Sequence, residues 1–195
     1  MNATNKIRTG IFPGSFNPVH IGHLIIAHHL LHHSDLSEIW FVVSPQNPLK
    51  EHSELLPEQT RLALLKLAID EQPGFFLCQR EFTLERPSYT WKTIQVLREE
   101  NPERDFVLII GSDNLDVFAQ WKDHGKILES TDIYVYPRRG ASGNEFQRHP
   151  RVRMVGAPLI EISSAIIREG FRKGSPPRYM LPDKVYRQIL EEKLL

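Results

Sequence analysis

The chain has 195 residues, of which 41% are hydrophobic and 25% are charged, a composition typical of one folded globular domain. Its 24 basic and 24 acidic side chains cancel, which argues against bulk binding to nucleic acid or to a membrane surface. The single cysteine, Cys78, excludes an intramolecular disulfide and a cysteine-based zinc site. Residues 1–6 are polar with no apolar targeting segment after them, and no apolar run approaches the ~20 residues of a membrane span. We therefore expect a cytoplasmic chain that forms a single domain over residues 1–195.

Strand and helix signals alternate along the chain, which predicts an α/β fold with a largely parallel sheet. Short apolar runs predict strands at Ile7 to Phe12, Glu38 to Val43, Phe75 to Gln79, Phe106 to Ile110, Ile133 to Tyr136 and Val152 to Val155. Helical patterns lie at Ile21 to Leu31, Pro57 to Glu71, Thr90 to Glu100, Leu115 to Phe118, Lys126 to Leu128, Ser163 to Arg172 and Pro182 to Lys193. The last two are closing helices within 163–195. The polar segment from Arg138 to Pro150 is predicted to be a mobile loop.

The stretch from Gly10 to His23 combines a strand end, a turn rich in Gly, Pro and Asn, and a helix start. This layout presents backbone N–H groups and a helix N-terminus to a phosphate. His20 and His23 are three residues apart, so both imidazoles are expected on the same side of the first helical turn. Gly22, between them, would let a nucleotide approach the backbone closely. An ordinary turn with solvated histidines is the alternative interpretation.

This stretch resembles the signature of the nucleotidylyltransferase superfamily, carried here by Gly14, Phe16, Pro18, His20, Gly22 and His23. The resemblance implies a Rossmann-like, doubly wound, mainly parallel sheet flanked by helices. It also implies that the two histidines bind the phosphates of a nucleoside triphosphate and stabilise the transition state. Gly14, Ser15 and Phe16 would then belong to the ATP-binding loop.

A second motif occupies residues 162–168. Ser163 is a good N-cap, and Ile162 with Ile167 fits a hydrophobic staple, so a structural role alone would explain it. The motif also resembles the Ile-Ser-x-x-x-Ile-Arg element of the superfamily. That resemblance implies triphosphate contacts from Ile162, Ser163, Ser164 and Arg168.

Gly111 and Asp113 follow the clearest buried strand, at the sheet edge where open parallel sheets bind ligands. Gly111 would let a nucleotide approach, and Asp113 would accept hydrogen bonds from ribose. An ordinary Asx turn is the alternative. Lys50 lies in a polar loop after the second strand, where the resemblance implies a basic residue against the ATP phosphates.

Three further pieces resemble the bacterial nicotinate-nucleotide adenylyltransferases, and the resemblance extends over nearly the whole chain. They are the segment 86–90, Trp121 and the segment 138–140. The resemblance implies that Ser88, Tyr89 and Thr90 hold the pyridine carboxylate. It also implies that Trp121 stacks on the ring and that Arg138 binds the anionic substrate. N–H groups at a helix start suit a carboxylate, and an indole suits a flat ring. Taken singly, each residue also has a structural explanation: Thr90 as an N-cap, Trp121 as a packing residue and Arg138 as a solvated charge.

The implied reaction joins ATP and nicotinate mononucleotide into nicotinate adenine dinucleotide and pyrophosphate, a step of NAD biosynthesis. We expect direct attack by the mononucleotide phosphate, with charge offset by His20, His23, Lys50 and Arg168. Mg²⁺ is expected to arrive with ATP, since the motifs supply no carboxylate cage. Alternatives are phosphopantetheine adenylyltransferase, a cytidylyltransferase or a non-catalytic nucleotide sensor; a class I aminoacyl-tRNA synthetase would need far more chain. The sequence leaves open whether the chain forms a homo-oligomer.

His28, His29, His32 and His33 form two pairs spaced four residues apart, and such pairs can bind zinc. No carboxylate or cysteine completes a site by its spacing. We therefore predict no metal held by the protein, and a solvated helix end where cationic histidines are favourable.

Overall fold

The computed structural model describes residues 6–45 and 55–195. Its strands are β1 Ile7–Gly14, β2 Glu38–Val43, β3 Phe75–Cys78, β4 Arg104–Gly111, β5 Asp132–Tyr136 and β6 Val152–Met154. They form one sheet in the order β3-β2-β1-β4-β5-β6, and every neighbouring pair is parallel. This is the doubly wound, Rossmann-like order, so the predicted fold class is confirmed.

The helices are α1 Ile21–His33, α2 Glu58–Ile69, α3 Thr90–Glu100, α4 Ser112–Asp116, α5 His124–Ser130, α6 Ser164–Arg172 and α7 Asp183–Glu192. Two hydrophobic clusters hold them on opposite faces of the sheet. One cluster includes Leu30 of α1, Leu65 of α2 and Ile189 of α7. The other includes Ile94 of α3 and Ile127 of α5. Because helices cover both faces of the sheet, the sequences of its central strands are nearly continuous apolar runs.

The central strand β1 pairs with β2 on one side and with β4 on the other, so the strand order reverses there. In such sheets a crevice opens beyond the carboxyl ends of the two strands at the reversal. The loop that follows Gly14 and the start of α4, which follows Gly111, flank this crevice. The fold therefore brings the two segments that the sequence singled out to one place.

Most element bounds agree with the sequence prediction, and two regions differ. The helix predicted at Leu115 to Phe118 begins earlier, at Ser112, directly after β4. The loop predicted to be mobile contains a 3₁₀ turn at Glu145–Arg148. The Asp116 carboxylate also accepts hydrogen bonds from the N–H groups of Ser142 and Gly143, at 2.7 and 3.0 Å. Much of this loop is therefore tied to α4, which its polar composition did not predict.

None of the described helices combines the length and the apolar character needed to cross a bilayer.

Candidate active site

A cleft of about 790 Å³ lies at the carboxyl ends of the central strands. Every site residue predicted from the sequence lines it, apart from Lys50, which lies outside the described residues. These residues are Gly14, Ser15, Phe16, His20, His23, Ser88, Tyr89, Thr90, Gly111, Asp113, Trp121, Arg138, Ile162, Ser163, Ser164 and Arg168. A volume of this size suits a nucleotide-sized ligand. The fold thus gathers motifs from both ends and the middle of the chain.

The two histidines of the first motif contact each other directly. His20 is the N-cap residue of α1, and its backbone N–H donates a hydrogen bond of 3.2 Å to Nδ1 of His23. Their rings are stacked, with centroids 3.7 Å apart. The His20 side chain is only 5% exposed, and its Nδ1 has no hydrogen-bond partner in the described structure. Burial, with a smaller effect of the Arg138 charge, lowers the pKa of His20 to about 4, so this imidazole is neutral at pH 7.

Gly22 is required by packing within the protein. A Cβ atom at this position would lie 2.8 Å from Cγ2 of Ile160 and 3.0 Å from Nδ1 of His20. Gly22 was predicted to let a nucleotide approach the backbone, but the side chains of Ile160 and His20 occupy that space. The glycine lets Ile160 close against His20, which contributes to the burial of the imidazole.

The second motif binds the loop of the first. Ser163 caps α6, since its Oγ accepts a hydrogen bond of 3.3 Å from the N–H of Ile166, as its sequence position predicted. The Ser164 hydroxyl donates to the carbonyl of Pro18 at 2.9 Å, and Nη1 of Arg168 donates to the carbonyl of Asn17 at 2.8 Å. These bonds hold the N-terminus of α6 against the β1–α1 loop.

Phe16 borders the cleft, but the residue is only 2% exposed and its ring packs in the core. It packs edge-on against His23, with ring centroids 5.0 Å apart, and against Phe12 at 6.1 Å. Its backbone has a φ of 45°, in the left-handed region that is uncommon for a residue with a side chain. The loop therefore turns sharply here and inserts an aromatic ring beneath the histidine pair.

The segment after β5 brings Arg138 beside Gly111, the last residue of β4. A Cβ atom at Gly111 would collide with Oδ1 of Asp113 and would lie 2.9 Å from Cγ of Arg138. Nη1 of Arg138 donates to the carbonyl of Ile160 at 3.2 Å, and its Nε lies 3.9 Å from Asp113 Oδ2. Arg138 is thus held next to Asp113 of α4 and close enough to lower the pKa of His20.

The segment predicted to hold the pyridine carboxylate is fixed by a buried acid that the sequence analysis missed. Glu81 is 4% exposed, and its carboxylate accepts hydrogen bonds from the hydroxyls of Ser88 and Thr93, both at 2.9 Å. Burial raises the pKa of Glu81, while these two hydrogen bonds act in the opposite direction. The Ser88 hydroxyl is therefore occupied within the wall. Tyr89 is the N-cap residue of α3 and its side chain makes no capping hydrogen bond, so a capping role is excluded for Thr90.

Trp121 and Lys122 form the neighbouring wall. Trp121 packs on Phe118, with ring centroids 5.3 Å apart at 48°, and also lines the cleft. Nζ of Lys122 lies 4.4 Å from the centre of the Tyr89 ring, a cation–π distance. Lys122 was not among the predicted site residues, although it directly follows Trp121.

Arg61 of α2 supports the floor of the cleft and was also missed. It is 1% exposed, and its guanidinium donates to four backbone carbonyls. Nη1 reaches Ser15 at 2.7 Å and Ser44 at 2.8 Å. Nη2 reaches Pro45 and Nε reaches Leu56, both at 3.1 Å. One side chain thus joins the loops that follow β1 and β2 to the start of α2.

The histidine-rich end of α1 forms the two pairs that the sequence predicted, with ring centroids 4.3 and 4.5 Å apart. Within residues 6–45 and 55–195 there is no group of three or more His, Cys, Asp or Glu side chains arranged to hold a metal ion. Burial and the charges of His33 and His28 lower the pKa of His29. The expectation of a favourably cationic helix end stays a prediction, and within it His29 is the histidine whose protonation the neighbouring histidines disfavour.

Comparison with known proteins gives a consistent result. Residues 11–170 match the family described as cytidylyltransferase-like. A protein of Bacteroides thetaiotaomicron named probable nicotinate-nucleotide adenylyltransferase is 48% identical over 98% of this chain and 95% of its own length. A protein of the same name from Bacteroides fragilis is 46% identical over 96% of this chain and 93% of its own.

Solved structures agree on the fold. The nicotinic acid mononucleotide adenylyltransferase of Plasmodium falciparum, complexed with NaAD, superposes with a TM-score of 0.79. It covers 96% of both chains at 18% identity, which bears on the fold alone. The family model matches most of the chain, and relatives above 40% identity match nearly all of it. The chain belongs to the cytidylyltransferase-like family and, within it, to the nicotinate-nucleotide adenylyltransferases.

Proposed function

We propose that this chain transfers the adenylyl group of ATP to nicotinate mononucleotide, giving nicotinate adenine dinucleotide and pyrophosphate. One observation carries the proposal: a single cleft joins the stacked His20–His23 pair to the uncapped start of α3 and to Trp121. The first part suits a triphosphate, and the second suits an aromatic ring bearing a carboxylate. The names of relatives above 40% identity support the same reaction.

The reaction that fits this cleft is a direct displacement. An oxygen of the mononucleotide phosphate forms a bond to the α-phosphorus of ATP. The bond from that phosphorus to the oxygen bridging the α- and β-phosphates breaks, and pyrophosphate leaves with the electron pair. The hydroxyls of Ser163 and Ser164 are engaged with Ile166 and Pro18, which makes them poor candidates for a covalent intermediate. Catalysis then consists of positioning and of stabilising the charge that develops on the phosphates.

In this proposal the histidines donate hydrogen bonds and do not supply a fixed positive charge in the empty cleft. Buried His20 is neutral at pH 7 because of its lowered pKa, and a neutral imidazole still carries one N–H donor. Positive charge comes from Arg138, Arg168 and Lys50, of which Lys50 lies outside the described residues. Arg168 has the added role of holding the Asn17 carbonyl in place.

We propose that Mg²⁺ enters as the ATP–Mg²⁺ complex. Mg²⁺ keeps several waters and is commonly bound through substrate phosphates with only one or two protein carboxylates. Asp113 is an exposed acidic residue of the cleft, 3.9 Å from Arg138, and in this proposal its oxygens accept from ribose or from bound water. The ion would be part of the substrate, offsetting phosphate charge.

The proposal is tested by incubating the chain with ATP–Mg²⁺ and a panel of acceptors while measuring pyrophosphate release. The panel contains nicotinate mononucleotide, nicotinamide mononucleotide, phosphopantetheine and, with CTP as donor, choline phosphate. We expect the fastest release with nicotinate mononucleotide, and a dinucleotide product by mass spectrometry. Release with phosphopantetheine alone, or with CTP alone, would assign the cleft to a sister enzyme, whereas binding of ATP without any turnover would favour a nucleotide sensor.

A further inference from the structure

The wall that would receive the pyridine carboxylate already contains a carboxylate. Glu81 is buried there, and among the described residues its side chain makes hydrogen bonds to hydroxyls and no ion pair. Because Ser88 donates its hydroxyl hydrogen to Glu81, that hydrogen is not available to a ligand. An anionic substrate group that approaches this wall therefore meets a buried acidic group and one fewer donor than the Ser-Tyr-Thr segment suggests. A nearby cation would offset both effects.

Three described residues that line the cleft are lysine or arginine: Lys122, Arg138 and Arg168. Arg168 donates to the carbonyl of Asn17, in the β1–α1 loop. Arg138 donates to the carbonyl of Ile160 and lies beside Asp113. Both arginines are thus committed to the side of the cleft that carries the histidine pair.

Lys122 differs from both arginines in its position and in its contacts. Its ammonium nitrogen lies 4.4 Å from the centre of the Tyr89 ring, and Tyr89 is the residue that precedes α3. In the described part of the chain it has no carboxylate partner, and its side chain remains exposed at the cleft. The ammonium group is thus held at the ring of the residue that precedes α3, and an anion would be bound at the first N–H groups of this helix.

Resting on the function proposed above, we infer that Lys122 is a specificity-determining residue that selects the carboxylate of the pyridine ring over its amide. Its ammonium group pairs with the carboxylate of nicotinate mononucleotide, while the N-terminus of α3 supplies backbone donors. The amide of nicotinamide mononucleotide carries no charge, so Lys122 gains nothing from it. Trp121 stacks on either ring and does not discriminate.

The test compares kcat/KM for nicotinate and nicotinamide mononucleotides at saturating ATP–Mg²⁺. Lys122→Met removes the charge while keeping a long unbranched side chain, Lys122→Arg restores the charge, and Lys126→Met is the matched control. Lys126 is an exposed lysine in the first turn of α5 that pairs with Asp123, the N-cap residue of that helix. A hydrogen bond to a charged group contributes enough for us to expect roughly a tenfold loss of kcat/KM for the nicotinate nucleotide in Lys122→Met. The value for the nicotinamide nucleotide should change little.

We expect the loss in Lys122→Met to appear mainly in KM for the nicotinate nucleotide, and Lys122→Arg to recover most of it. Lys126→Met should behave as wild type, and KM for ATP should be unchanged in each variant. An equal loss with both nucleotides would mean that Lys122 acts through packing on Tyr89 or through a phosphate, and would overturn the inference. An unchanged ratio in Lys122→Met would also overturn it while leaving the proposed function intact. If the wild type makes a dinucleotide from neither acid nor amide, the proposed function fails first, and the inference fails with it.

Discussion

The backbone N–H of His20 donates its hydrogen bond to Nδ1 of His23, so that Nδ1 must present a lone pair. A neutral His23 ring then carries its proton on Nε2. The first turn of α1 thereby fixes one tautomer of the second histidine through the backbone of the first. In the His23 ring, Nδ1 therefore accepts the hydrogen bond at the start of α1, while Nε2 is left to donate a hydrogen bond to a substrate.

That separation can be tested by two replacements of His23. Asparagine places an acceptor near the position of Nδ1 but nothing at Nε2, whereas glutamine extends an amide towards the position of Nε2. We expect His23→Asn to keep the melting temperature and to lower kcat by roughly 10²–10³, the scale for removing one transition-state donor. His23→Gln should lose less activity, and His20→Ala should also lose roughly 10²–10³ in kcat. A rise in KM for ATP with unchanged kcat would instead mean that the histidines bind only the ground state.

The burial of His20 predicts a pH dependence of stability. Its pKa is about 4 in the folded chain against 6.5 for an unperturbed imidazole, so the unfolded chain takes up a proton that the folded site does not. The free energy of unfolding should therefore fall as the pH falls from about 6.5 to about 4, by up to about 3 kcal/mol from this group. Urea denaturation of the ligand-free protein at a series of pH values measures this. His20→Gln should flatten the curve over that range; an unaltered slope would show that His20 is not the group responsible.

The choice between acid and amide substrates should also involve Thr90, the first residue of α3. A carboxylate only accepts hydrogen bonds, whereas the NH₂ of an amide would face donors and leave some unpaired. One unpaired buried group costs about 1–3 kcal/mol, so we expect at least roughly a tenfold preference for the nicotinate nucleotide in the wild type. Thr90→Ala should reduce that preference in kcat/KM. A preference that survives Thr90→Ala unchanged would assign the selection to the N–H groups of α3 and to Lys122, and equal values in the wild type would contradict the preference itself.

Replacing Arg61, which supports the floor of the cleft, should lower both the free energy of unfolding and the activity. Arg61→Met would remove the donor from four carbonyls that are buried or partly buried, so we expect the free energy of unfolding to fall by about 2 kcal/mol or more. Arg61→Lys should rescue only part, because an ammonium group cannot span four acceptors as a planar guanidinium does. Lys66→Met, an exposed change on the same helix, should lie within about 0.5 kcal/mol of wild type. An Arg61→Met protein as stable and active as wild type would contradict this role.

Structural features that depend only on residues close together in the chain were predictable from the sequence. The strand at Glu38–Val43 and the helix at Thr90–Glu100 were predicted with the bounds that the structure has, because an apolar run and a periodic pattern mark them. The cap at Ser163 was predicted because its hydrogen bond reaches only three residues along the chain.

The features that depend on distant parts of the chain were not predictable in the same way. Ser164 and Arg168 bind the loop at Asn17 and Pro18, about 150 residues earlier, and no local signal encodes that contact. From the sequence alone, Glu81 is predicted to be an exposed acid like most glutamates, but the fold buries it beside Ser88. Gly22 was assigned to nucleotide access because the sequence does not show that Ile160 packs there.

The most direct test of the proposed function follows the adenylyl group itself. Wild-type protein is incubated with nicotinate mononucleotide and ATP radiolabelled at the α-phosphate, and the products are separated by chromatography. We predict that the label appears in nicotinate adenine dinucleotide, that one pyrophosphate is released for each dinucleotide formed, and that no label remains on the protein. Label that stays in ATP, that appears as free AMP or that becomes bound to the protein would contradict direct transfer to this acceptor.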